Sequence, residues 1–111
     1  MINYSLSWSV KKTLMDCDIV VKRGIKRLVL DVLKPHQPSL PEFADYMGSL
    51  KELTRVDVTL IEMDERTDSL KVIVEGNGIN FESLKEHISK MGAVIHSVDQ
   101  VVVEDFVGRS T

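Results

Sequence analysis

The sequence predicts an α+β sandwich, in which a four-stranded antiparallel sheet carries two helices on one face. Three observations predict it. Four stretches place apolar residues at every second position, as a half-buried strand requires. Two others repeat apolar residues at helical spacing, and capping and turn residues separate all six in the order β-α-β-β-α-β. A chain of 111 residues has room for one such unit.

Taken in order, Ile25 to Leu33 is the first strand, with Leu28, Leu30 and Val32 on its inner face. Pro35 and Pro38 end it, because neither has an N–H to give to a ladder. Ser39 with Glu42 three residues later is a capping box, and Leu40, Phe43, Ala44, Met47 and Leu50 then form one apolar stripe. Val56, Val58 and Leu60 line a second strand that runs to about Asp64, and Glu65-Arg66-Thr67-Asp68 is a polar hairpin turn. Leu70, Val72 and Val74 line the third strand, which Gly76-Asn77-Gly78 stops. Asn80 caps a second helix built on Phe81, Leu84, Ile88 and Met91, and Gly92 suits its left-handed C-terminal residue. Val94 to Val103 is the last strand. Right-handed crossovers then order the sheet 4-1-3-2, a ferredoxin-like sandwich. This gives residues 1–22 as an N-terminal extension, 23–104 as the ferredoxin-like domain and 105–111 as a C-terminal tail.

Composition narrows the function classes. Forty-three per cent hydrophobic and 28% charged residues describe an ordinary globular domain. Fourteen basic against 17 acidic residues give a net charge of −3, which argues against a nucleic-acid partner. Cys17 is the single cysteine, so neither a disulfide framework nor a Cys-rich zinc module is available, and it reads as a small apolar residue. Lys11 and Lys12 follow Trp8 instead of preceding an apolar run, and Asp16 and Asp18 interrupt the next one, so the start does not read as a signal peptide. Nothing approaches the ~20 apolar residues that cross a bilayer, and the expectation is a cytoplasmic protein with no membrane partner. Within the extension, Ser9 to Met15 reads as a short helix; the segment either docks on the domain or a neighbour, or precedes the true start.

Alternation also assigns the other sheet face: Val29, Asp31 and Leu33; Asp57, Thr59, Ile61 and Met63; Lys71, Ile73 and Glu75; Ile95, Ser97 and Asp99. Its apolar members make a patch of the kind that marks an interface, so a homo-oligomer is expected. The alternative is that the extension covers it.

The sheet lacks the residues of several chemistries this fold hosts. There is no cysteine pair for a soft metal, no aromatic on the two central strands to stack bases, and no arginine in the first loop to hold phosphate. His96 and Asp99 lie three apart on a strand and point to opposite faces, so no nucleophile-base pair emerges and the chain reads as a non-enzyme. Two candidate sites survive. The topology gathers Lys34, His36, Ser39 and His96 at one edge, beside the start of the first helix and the rim acids Asp64 and Asp68. That set suits a small anionic metabolite. The competing reading pairs Lys34 with a rim acid and leaves His36 exposed. Second, Asp31, Glu75 and Asp99, with Asp57, offer oxygen ligands for calcium or magnesium. Here the competing reading is ion pairing of Asp31 with Lys71 or Arg27. His87 reads as solvated.

The run Arg27 to His36 with Ser39, and Gly92 followed by Ile95-His96-Ser97-Val98-Asp99, together resemble a small archaeal family of unknown function. Glu62-Met63-Asp64-Glu65 with Thr67, and Glu75-Gly76, fit the same pattern, and the resemblance covers about Arg23 to Val103. It implies a ferredoxin-like fold, archaeal origin and multimeric assembly, and no activity. Asp31, Lys34, His36, His96 and Asp99 all lie within its motifs. The functional expectation is a homo-oligomeric small-ligand binding or regulatory module. The alternatives are a structural oligomer with a divalent cation on the sheet face, and an accessory subunit that binds another protein through that face.

Overall fold

A computed structural model describes residues 19–109 of the chain. The elements are β1 (Ile19–Pro35), α1 (Leu40–Gly48), β2 (Leu53–Met63), β3 (Thr67–Gly76), α2 (Phe81–Ser89) and β4 (Val94–Arg109). They form one four-stranded sheet in the order β2-β3-β1-β4. This is the expected ferredoxin-like α+β sandwich, its sheet read from the other edge. Among the described residues no helix is long and apolar enough to cross a membrane.

Each helix begins where the sequence places a cap. The Ser39 hydroxyl accepts from the Glu42 amide at 3.4 Å while the Glu42 carboxylate accepts from the Ser39 amide at 3.0 Å, which closes the capping box. Asn80 accepts from the Ser83 amide at 3.1 Å and starts α2. Gly92, at φ 78°, supplies the left-handed turn into β4. At Gly76 the constraint is space: a Cβ there would lie 2.0 Å from the Glu52 carbonyl oxygen.

The core is the predicted one. Leu28, Leu30 and Val32 from β1 and Leu70, Val72 and Val74 from β3 meet Phe43, Met47, Leu84 and Ile88 from the helices, all essentially sealed from solvent. Burying each aliphatic chain fully is worth roughly 1.5–3 kcal/mol, so the helix-side face of the sheet is the main source of stability.

Four details depart from the sequence reading. β1 begins at Ile19 instead of Ile25, and β4 continues to Arg109 instead of stopping at Val103. Residues 24–104 form one compact unit; residues 19–23 and 105–109 belong to a second, in which Arg23 Nε donates to Asp105 at 2.8 Å. The expected helix over Ser9–Met15, and Cys17, lie outside the described residues. Asp68 belongs to β3 and not to the hairpin turn. Finally, β2 carries a register shift between Leu60 and Glu62, so Glu62 stands opposite Ser69 and Met63 opposite Asp68. One extra residue reverses the alternation beyond it, and Met63 does not share the face of Asp57 and Thr59.

Candidate functional site

The strand parity that buries Leu28, Leu30 and Val32 continues to Lys34, which therefore turns to the helix side at the very end of β1. Its side chain is fully buried. The ammonium donates to the carbonyls of Pro35 (2.9 Å), His36 (3.3 Å) and Pro38 (2.5 Å) and to Asp68 Oδ2 (3.0 Å). Three N–H groups face four acceptors, so no hydrogen is left for a ligand.

Asp68 arrives by the same rule, two positions before Leu70 and directly opposite Lys34 in the β1–β3 register. Its second oxygen accepts from His36 Nδ1 at 2.9 Å, and His36 Nε2 stands 3.0 Å from the Glu65 carbonyl. The Lys34 hydrogen bond, reinforced by the His36 bond and both cationic charges, holds the Asp68 carboxyl below the usual carboxylate range. The bond to Asp68, then the Glu65 carbonyl and the nearby Asp68 and Asp64 charges, raise His36 above the ordinary histidine value. Asp64 accepts from the amides of Thr67 (3.0 Å) and Arg66 (3.1 Å), which fixes the turn and lowers its own carboxyl.

This edge thus brings Lys34 and His36 together around Asp68, and it does not form the expected anion cradle. Ser39 is used as a cap, and the start of α1 already carries an anion, the Glu42 carboxylate, which the Ser39 amide holds below its usual range. His96 is elsewhere. Ile95 packs against the core, whereas Val94 and Val98 are exposed and Gln100 accepts from Arg27 at 2.9 Å on the open face. Alternation therefore puts Val94, His96, Val98 and Gln100 on the open face, the reverse of the expected frame for β4. The competing reading, Lys34 paired with a rim acid, holds with Asp68 as that acid; that Asp68 also accepts from His36 lies outside it, and the parity of Asp68 relative to Leu70 is the signal for its central place.

The same frame separates the candidate metal ligands. Arg27 spans the open face, with Glu75 at 2.6 Å on one side and Gln100 on the other. Asp99, next to Gln100, points to the opposite face, where it accepts from Ser97 at 2.8 Å. Glu75 is held by Arg27 and Asp57 by Arg55 at 3.4 Å. Asp31, Glu75 and Asp99 do not converge, and among the described residues no group of three or more His, Cys, Asp or Glu side chains is placed to hold a metal ion.

Asp31 is different. It is half-buried on a central strand, between Val29 and Leu33, and opposite Lys71 in the ladder. Neither expected partner reaches it: Arg27 is bonded to Glu75, and no ion pair joins Asp31 to Lys71 among the described residues. His87 also departs from expectation. It stacks on Tyr46 with centroids 4.0 Å apart, and its Nε2 lies 2.8 Å from the Tyr46 carbonyl, so it pins α2 to the end of α1.

The model of the DUF211 family, described as an uncharacterized ArCR group, matches residues 26–109. An uncharacterized protein of Methanocaldococcus jannaschii is 43% identical over 79 residues, which cover 71% of this chain and 81% of that protein.

Proposed function

We propose, from the premise that the chain belongs to the DUF211 family, that it is a cytoplasmic self-assembling module and not an enzyme, and that its open sheet face seats against the same face of a second copy. The observation that carries this reading is Asp31: a half-buried carboxylate without an ion-pair partner among the described residues, one strand away from an exposed lysine, Lys71. A half-buried carboxylate that an interface takes fully out of water needs a partner there. A two-fold axis through the face would set each copy's Asp31 against the other's Lys71, two reciprocal pairs in one isologous contact. Val94 and Val98, 61% and 43% exposed, supply the apolar surface between them together with the half-buried Leu33 and Ile73. Such contacts need about 800 Å² from each partner, and a four-stranded face is of that order.

The first-loop anion site is not part of this reading, because the Lys34 hydrogens are all used and Glu42 occupies the helix start. The test is molar mass by light scattering for the wild type and for Ile73→Asp. The reading expects an oligomer that Ile73→Asp reduces to a folded monomer. A wild-type monomer would overturn it and favour an accessory subunit that offers the same face to a different protein. An unchanged oligomer in the variant would place the contact elsewhere.

A further inference from the structure

The end of β1 with the loop that follows it (residues 35–39) and the β2–β3 turn (residues 64–66) are far apart in sequence and are tied together at two points. One is the buried ion pair of Lys34, which holds three loop carbonyls, with Asp68. The other is His36, whose side chain is 40% exposed and whose charge changes near neutral pH. The His36 ring sits between two acceptors, the Asp68 carboxylate at Nδ1 and the Glu65 carbonyl at Nε2. Only the doubly protonated imidazolium has an N–H for each. The neutral ring has one N–H, and the lone pair on its other nitrogen must face an oxygen.

We propose that His36 is a proton-operated clasp: its imidazolium joins the first loop to the β2–β3 turn, and loss of the Nε2 proton releases the turn at Glu65. The proton leaves from Nε2 because Nδ1–H faces the stronger acceptor, a carboxylate. The charged groups around the ring are Asp68 from β3, Asp64 and Glu65 from the turn, and Lys34 from β1, whose ammonium bonds the His36 carbonyl. Asp68 and Asp64 both favour the cation, in line with the raised proton affinity of this histidine. The Lys34–Asp68 pair, sealed from solvent, keeps the strand ends together in either state, so the release is confined to the turn. The edge of the sheet would then present two surfaces, one below and one above the histidine titration, without unfolding of the domain.

The experiment is an NMR pH titration of the full chain, following the imidazole nitrogens of His36 and the amides of residues 64–67. The clasp predicts that both ring nitrogens are protonated at pH 6, that His36 titrates above histidine in an unstructured peptide, and that the turn amides shift with the same midpoint. In His36→Gln, whose fold does not depend on a buried group, the turn transition between pH 6 and 9 disappears. A singly protonated His36 at pH 6, turn amides that ignore its titration, or a turn transition that survives in His36→Gln would each overturn the proposal.

Discussion

Two lysine–aspartate pairs stand across the same β1–β3 ladder, three residues apart and on opposite faces. Lys34 opposite Asp68 lies under the first loop, is almost sealed from solvent, and is bonded at 3.0 Å. Asp31 opposite Lys71 lies on the open face, and no ion pair closes it among the described residues. The chemistry of the two pairs is the same; their cover differs. On the helix side the chain brings three carbonyls to the ammonium and a histidine to the carboxylate, so every charge is answered within the domain. On the open side nothing in residues 24–104 does so. A polar cluster that satisfies itself is a structural joint, and one left unsatisfied beside apolar surface is where a partner is expected.

The first way to break this contrast is to remove the inner pair. Lys34→Met takes the ammonium away from three loop carbonyls and leaves Asp68 with His36 alone inside the domain. The expected loss of stability in urea unfolding matches that of Phe43→Ala, roughly 3–5 kcal/mol for a large core truncation. A loss no greater than that of a surface substitution would mean the pair is not the joint described. Lys71→Met, by contrast, should leave the stability of the monomer nearly unchanged.

The second way is pH. Asp68, Asp64 and Glu42 are all held below their usual range, so the stability they add is complete above the unfolded carboxylate values near 4 and is lost as pH falls through the lower folded values. His36 is raised, so its contribution is complete below the unfolded value of about 6.5 and is lost as pH rises through the folded one. Thermal melts should therefore show highest stability between these limits, with a gentler fall on the alkaline side. In His36→Gln the alkaline fall should vanish while the acid limb remains.

Smaller effects sharpen the same picture. Ser39→Ala removes the cap of α1 and should cost about 1 kcal/mol, with no loss of any anion-dependent thermal shift, since the hydroxyl serves the helix. Excess chelator should leave both melting temperature and molar mass unchanged, because Asp99 lies on the opposite face from Glu75. Dissociation on chelation would restore a cation to the open face.

Much of this was legible in the residues. The caps at Ser39 and Asn80, the left-handed Gly92 and the alternation of Leu28, Leu30, Val32, Leu70, Val72 and Val74 are local signals, and they fix the order of elements and the core. Two further positions along that same alternation reach Lys34 and Asp68, so the inner pair was within reach of parity, although the three loop carbonyls were not. The frame of β4 and the bulge after Leu60 depend on pairing with a neighbouring strand, and a register shift of one residue leaves no mark in a strand's own composition. That is why simple alternation puts Met63, His96 and Asp99 on the wrong faces and why the metal trio does not assemble.

The most direct test of the central claim is a charge swap across the open face, read as molar mass by light scattering at fixed concentration. Asp31→Lys and Lys71→Glu should each lower the assembled fraction, by setting like charges against each other at the two-fold contact, and the double variant should restore it. Two single variants that assemble as well as the wild type, or a double variant weaker than either, would contradict the reciprocal Asp31–Lys71 contact.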